Sequence, residues 1–239
     1  MTITEPWYDV QLTETVRIRQ TQRGVGGLPY GGFNLGVHVG DDPAVVSRRR
    51  ARLAKHLGMP VHYVRQVHGV AVQVVDRTPF EEADADALIT REPDQALAIL
   101  TADCLPIVLA GDGVIGVAHG GWRGVLGGII AETVRHMQST ICCAWLGPCI
   151  GRDAFEVGPE VREAFVRQEH HLASFFRPAV KPDHWWCDLR GIAHQQLASL
   201  GVESIIATTA CTLNQSEQYY SYRRDGVTGR MATVVWRSE

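Results

Sequence analysis

The sequence predicts a mixed α/β fold of the α+β class, with mixed β-sheets arranged in layers and a single domain over residues 1–239. Strand-like and helix-like segments are interspersed along the chain instead of segregated into halves. Several neighbouring strand-like runs are joined by connections too short for a crossover helix, Gly111-Asp112-Gly113 above all, so those runs pair antiparallel. No GxGxxG leads from a strand into a helix and no GxxxxGK[ST] occurs, which argues against a doubly wound Rossmann domain and a P-loop. Internal repeats and low-complexity linkers are absent, hence one domain.

From the N-terminal end, Val16–Arg19 reads as a strand. Arg23–Leu35, RGVGGLPYGGFNL, is a loop with five Gly in thirteen residues. Asp41-Asp42-Pro43 starts a helix, with an Asp cap and Pro in the first turn, that runs to about Leu57 and stops at Gly58. Val61–Gln66 and Val70–Val75 are β-rich and flank His68-Gly69. Ala96–Ala102 and Pro106–Ala110 are buried strands broken by Asp103-Cys104-Leu105, and Val114–Ala118 comes after the tight turn. Gly124–Met137 is a helix, apolar at Val125, Ile129, Val134 and Met137. Ala144–Leu146 is a short strand, Pro159–Gln168 and Leu189–Leu200 are helices, and Ser204–Thr208 and Met231–Trp236 are strands. Ser221–Arg230 reads as a hairpin-like turn crowded with Arg, suited to binding an anion or to pairing with Asp225.

Composition narrows the function. A net charge of −3 provides no basic field to recruit nucleic acid. The stretch MTITEPWYDV has no apolar core of a targeting signal, and the apolar runs around Ala96–Leu100 and Ile107–Ala110 are too short to span a bilayer. A cytoplasmic protein without membrane or nucleic-acid partners, a monomer or weak homodimer, is the expectation. The six cysteines are expected to be free thiols: the core is ample, no export signal is visible, and the vicinal Cys142-Cys143 cannot close an ordinary bridge. No CxxC occurs, so a zinc finger is excluded.

Three residues sit at strand ends beside Gly or Pro: His68 in RQVHG, Cys104 in TADCLP and His119 in VAHGGWRG. Two imidazoles and a thiolate make a zinc donor set with the fourth position open, the arrangement of a catalytic site. Their spacings of 36 and 15 residues match no local zinc motif, and a packed thiol with two ordinary histidines is the bland alternative. The same atoms also suit a cysteine hydrolase, with Cys104 as nucleophile, His119 as base and Asp103 or His68 orienting it. Asp103 instead faces away from the site if the strand alternation holds. Beside His119, bare backbone and Arg123 near a helix start suit a flat anionic ligand; close strand–helix packing explains the same glycines. Asn34 is a candidate for a sugar or base contact, or else a turn residue.

Taken together, GGFNLGVHVGDDP, RQVHG, DADALIT, TADCLPIVL, VAHGGWRG, LGPCIG, FEVGPEV, DLRGIAHQQL and YYSYRRDGVTGRMA resemble the laccase-domain family. That family is also called polyphenol oxidase-like, purine nucleoside phosphorylase or peptidoglycan editing factor. The resemblance implies a layered α/β/β/α sandwich. It also implies a zinc-dependent purine nucleoside enzyme, zinc in preference to copper. The implied reactions are phosphorolysis of adenosine, inosine and methylthioadenosine, and adenosine deamination. On this chain the implied metal ligands fall on His68, Cys104 and His119, and the asparagine of the NLG motif falls on Asn34. An arginine of the next helix falls on Arg50, preceded here by Arg49 where the family often has Asn. Arg50 and Arg123 become the candidate phosphate holders.

The runner-up expectation is an amide hydrolase that edits UDP-muramyl-amino acid precursors through the same three residues. A true laccase fits poorly, since the chain has no H-x-H pair. A zinc-stabilised binding module is a fourth reading; it would leave no ligand position open.

Overall fold

The computed structural model describes residues 5–238; residues 1–4, which open the polar N-terminal stretch, and residue 239 lie outside it. The chain begins with strands β1 (Trp7–Gln11) and β2 (Val16–Thr21), helix α1 (Pro43–Leu57), and strands β3 (Val61–His62), β4 (Val72–Val75) and β5 (Ala87–Thr90). Then come β6 (Ala96–Thr101), β7 (Leu105–Gly111), β8 (Val114–Gly120), helices α2 (Trp122–Gly127) and α3 (Ile129–Met137), and β9 (Ile141–Leu146). The remainder comprises β10 (Glu156–Val157), α4 (Pro159–Gln168), a 3-10 turn at His170–Phe175, β11 (Phe176–Pro178) and β12 (Trp185–Cys187). It closes with α5 (Leu189–Ser199), β13 (Ser204–Ala207), α6 (Tyr222–Asp225) and β14 (Met231–Arg237).

Two mixed sheets dominate: a five-stranded one in the order β1-β2-β14-β6-β3 and a six-stranded one in the order β13-β9-β7-β8-β5-β4. A small sheet, β10-β12-β11, lies apart from them. The side-chain alternation of β6 shows how the layers stack. Leu97 and Ile99 meet Val108, Ala110, Ile115 and Val117 of the six-stranded sheet. Ala96, Ala98 and Leu100 turn the other way, onto Leu53 and Leu57 of α1. The outer face of the six-stranded sheet, including Ile107 and Ala118, packs on Ile129 of α3, Phe165 of α4 and Ile192 of α5. The layers are therefore helix, sheet, sheet, helices. Strands covered on both faces read as unbroken apolar runs, which is why β6 and β7 show no polar alternation.

α1 is the element whose ends were clearest. Asp42 accepts the Ala44 N–H at 2.8 Å, and the Gly58 N–H donates to the Ala54 carbonyl at 2.9 Å with φ at 73°. Elsewhere the structure corrects the expected elements. The helix expected over Gly124–Met137 is two helices, because Gly128 takes a left-handed φ of 93° and caps α2. The hairpin-like turn at Ser221–Arg230 is a single helical turn, α6, capped by Ser221. The strand expected over Val61–Gln66 is regular only at β3, with an isolated bridge from Arg65 to Asp84 further on. Beyond it the Gln66 amide replaces a ladder partner, donating to the Leu100 carbonyl at 2.8 Å and accepting its N–H at 2.7 Å. All six cysteines are free. No helix of the described residues is long and apolar enough to cross a membrane.

Four connections pass between the large sheets, β3 to β4, β5 to β6, β6 to β7 and β13 to β14, and two of them meet. Between β6 and β7 the chain passes from one to the other through Asp103, which holds a left-handed φ of 88°. Between β3 and β4 it makes a second crossing, through His68 at φ 59°. Both crossings end at the same place.

Candidate metal centre and adjoining cleft

His68, Cys104 and His119 converge, each offering one ligand atom, with those atoms within 4.8 Å of one another. His68 is exposed, Cys104 half-buried and His119 buried, so the group is open on one side. Among the described residues it is the one such cluster of metal-ligating side chains. His119 stands at the end of β8, and its backbone N–H donates to the Asp86 carbonyl at 2.7 Å.

Asp86 organises the cluster. It is fully buried just before β5. Its Oδ1 accepts His119 Nδ1–H at 2.8 Å and the His68 backbone N–H at 3.0 Å. Its Oδ2 accepts the N–H groups of Gly69 at 2.7 Å and Val67 at 3.2 Å. An ionised carboxylate only accepts, so Nδ1 of His119 carries the proton and Nε2 is left as the ligand atom. Burial opposes ionisation of Asp86, but the His119 and backbone N–H bonds outweigh it and hold the carboxyl below its usual range. Burial likewise opposes protonation of His119; the neighbouring Cys104 sulfur and Asp86 carboxylate outweigh it and raise its pKa to about 9. His68 has no such support, and burial, followed by His119, lowers its pKa.

Gly121 forms the floor. A Cβ there would lie 2.5 Å from His68 Nδ1 and 3.5 Å from Cys104 Sγ. The second glycine of VAHGGWRG is thus required by the cradle itself. Gly120 has a different reason: its Cβ would strike the Leu105 carbonyl at 2.8 Å, across the β7–β8 pairing. Two imidazoles, a thiol and a space that a methyl would fill suit a zinc-sized ion with one position left for substrate.

The cluster opens into a cleft of about 520 Å³. Arg123, Arg230 and His38 line it, and no Asp or Glu does. Arg230 is half-buried; its guanidinium donates to the carbonyls of Thr228 and Gly229 at 2.9 and 3.0 Å and lies 5.9 Å from the Tyr222 ring centroid. Burial lowers its pKa. Of the arginines in the 221–230 segment, Arg224 is structural, paired with Asp225 and bonded to three backbone carbonyls. Arg223 caps the Glu156 carbonyl at 2.8 Å.

The remaining expected site residues stand further back. Asn34 is buried and all of its amide is engaged: Nδ2 donates to the Gly36 carbonyl and to Asp41, and Oδ1 accepts from Gly36 and Arg230 N–H. It has no free hydrogen bond for a sugar or base, so the expected contact is corrected to a role in positioning Arg230. Arg50 does not line the cleft. It donates to the Leu35 carbonyl at 2.9 Å and stacks 4.0 Å from the Tyr63 ring centroid, so it is not where the expected phosphate holder would stand. Arg49 pairs with Asp41 at 2.8 Å, joining the network that holds Asn34. Arg123 does line the cleft, but α2 behind it is only six residues long.

The Asp103 carboxylate points away from Cys104. It accepts Thr212 Oγ1 at 2.6 Å, Ser221 Oγ at 3.0 Å and Arg223 N–H at 2.7 Å. It is therefore not the orienting group of a cysteine hydrolase, and it anchors α6 instead. Asp86 was missed from the sequence, although DADALIT displays it: a carboxylate entering a fully buried strand must be paired. Arg230 belongs to the Arg-rich segment 221–230 expected to suit an anion, and Gly121 to the glycines expected to leave room beside His119; Tyr222 was not singled out.

The layered sheets and the open His-Cys-His cradle define a mixed α/β protein with a candidate metal centre at the junction of its two sheets. Residues 15–238 match the family described as multi-copper polyphenol oxidoreductase laccase, and the chain belongs to that family. It is 42% identical over 229 residues to a purine nucleoside phosphorylase of Xylella fastidiosa, covering 89% of this chain and 88% of that protein. It is 40% identical over 221 residues to the purine nucleoside phosphorylase YfiH of Escherichia coli, covering 89% and 90%. Among solved structures, a Neisseria meningitidis protein aligns with a TM-score of 0.90 at 34% identity, covering 98% of this chain and 100% of that one. YlmD of Geobacillus stearothermophilus aligns at 0.78 with 31% identity, covering 94% and 92%.

Proposed function

We propose that the chain is a zinc-dependent purine nucleoside phosphorylase that acts on adenosine, inosine and methylthioadenosine. The observation that carries this reading is the joining of an open His-Cys-His cradle to a cleft lined by two arginines and no carboxylate. Arg123 and Arg230 bind phosphate and neutralise its charge. In the reaction a phosphate oxygen bonds to C1′ of the ribose as the C1′–N9 bond breaks. The electron pair leaves with the purine, whose ring nitrogen takes up a proton, and ribose-1-phosphate remains, or methylthioribose-1-phosphate from methylthioadenosine. His68, Cys104 and His119 would hold the zinc, which when bound supplies a Lewis acid at the mouth of the cleft. Asp86 orients His119 throughout. Adenosine deamination is the proposed companion activity of the same cleft. The free thiols suit a reducing compartment, so the reaction is assigned to the cytoplasm.

The test is chromatography of adenosine incubated with zinc-loaded protein, with and without phosphate. Adenine and ribose-1-phosphate appearing only with phosphate support phosphorolysis, and inosine appearing without it supports deamination. An unchanged adenosine peak in both overturns the reading. Full turnover by a metal-free His119→Ala protein also overturns it. A UDP-muramyl-amino acid cleaved in parallel without phosphate would favour the amide hydrolase.

A further inference from the structure

The vicinal pair Cys142-Cys143 lies in β9, outside the metal cradle, and neither thiol enters the reaction proposed above. In a regular strand adjacent side chains point to opposite faces, so two consecutive cysteines would be separated by the sheet. β9 is not regular there. Ala110 of β7 pairs with Cys143, but the next residue, Gly111, pairs with Ile141, so Cys142 is an extra residue in a β-bulge. The packing records the same slip. Ile141 and Ala144, three positions apart, both face the helices, whereas Cys143 and Trp145 face the other large sheet.

The bulge leaves the two sulfurs 4.0 Å apart. Cys142 is exposed and Cys143 buried, so a ligand enters over Cys142. This spacing does not suit a disulfide, whose sulfurs stand about 2 Å apart and which adjacent residues do not ordinarily close. It suits one soft atom bonded to both sulfurs. With bonds of about 2.3 Å, the length of a zinc–sulfur bond, a single atom spans such a pair at a bent angle. The hydrogen-bond partners of the two thiols are the carbonyls of Ala110, at 3.1 Å, and Leu12, at 3.9 Å. The pair therefore supplies two soft ligands, where a structural zinc takes four.

Burial, and next the neighbouring Cys142, push the Cys143 thiol up to about 12, so it keeps its proton. A bare cation requires thiolates. An arsenoxide, R–As=O, takes the thiols as they are. Two As–S bonds form, the two thiol protons leave with the oxygen as water, and arsenic stays trivalent. The product is neutral, which a partly buried position favours over an ion.

We propose that the Cys142-Cys143 bulge is a dithiol site for trivalent arsenicals, with both sulfurs bonded to one arsenic atom. The site is independent of any nucleoside reaction.

Intact-mass spectrometry of the protein treated with phenylarsine oxide in excess glutathione tests this. Glutathione, a monothiol, strips arsenic held by a single cysteine but not arsenic held by a chelating pair. The expected result is one arsenical per chain, released by a small dithiol. Cys142→Ser and Cys143→Ala each weaken retention at least about 100-fold. Cys104→Ser leaves it unchanged, as does Cys211→Ser, which removes one member of the Cys149–Cys211 bridge. Cys142→Ser, at an exposed position, decides alone if Cys143→Ala does not fold. A wild-type protein without the adduct, an adduct that survives Cys142→Ser, or one lost in Cys104→Ser or Cys211→Ser overturns the proposal.

Discussion

At the scale of single residues, the site depends on two positions that ligate nothing. Asp86 gathers three backbone N–H groups and one imidazole around a fully buried carboxylate. Asp86→Asn keeps the shape but loses one acceptor oxygen and the charge, so zinc affinity should fall about 10–100-fold, measured by competition with a chromogenic chelator. Gly121→Ala should be more severe. Its backbone, at φ −67°, tolerates alanine, but the added methyl would lie 2.5 Å from His68 Nδ1 and push that ring aside. The expected outcome is a folded protein by circular dichroism that retains no stoichiometric zinc; stoichiometric zinc in that variant would refute the cradle. The three candidate ligands, His68, Cys104 and His119, were legible as chemical types beside glycine or proline. Their support was not, because pairing between Asp86 and His119 spans 33 positions and leaves no local pattern.

At the scale of elements, α6 is a short turn held by side-chain bonds, those of Asp103 among them. It has four residues, none of them buried, and its first turn is tied to Asp103 through Ser221 and Arg223. Asp103→Asn isolates that tie, since asparagine also tolerates a left-handed backbone. Hydrogen exchange at 222–226 should accelerate at least about tenfold while zinc content is unchanged. Unaltered exchange would mean that α6 is held by something else. Elements that carry their own end signals were readable: α1 has its Asp42 cap, its Pro43 and its Gly58. The break at Gly128 was not, because an apolar period of one helix continued across it into the next. β3 was overextended because the sequence does not reveal that the Gln66 side chain substitutes for backbone pairing.

At the scale of the whole molecule, the cradle joins the two large sheets. Cys104 lies on the connection from β6 to β7, His68 on that from β3 to β4, and His119 at the end of β8. A metal held by all three ties these crossings together in the folded state only, so zinc at about 100 times its Kd should add about 2.7 kcal/mol of stability. For a chain of this length that is a rise in Tm of roughly 5–10 °C, read by scanning calorimetry, and His119→Ala should show none of it. The mixed α/β class could be read from alternating strands and helices. The face-to-face stacking of the sheets came only from resemblance, because strands such as β6 and β7 are buried on both faces and their sequence does not say what covers each.

The most direct test of phosphorolysis is phosphorus NMR of inosine and inorganic phosphate mixed with the zinc-loaded protein. Inosine has no amino group to lose, so deamination cannot mimic the result. The account predicts that the inorganic phosphate signal declines as a sugar-phosphate ester signal grows in step with free hypoxanthine. An inorganic phosphate signal that stays constant, whether inosine persists or is hydrolysed, would contradict it.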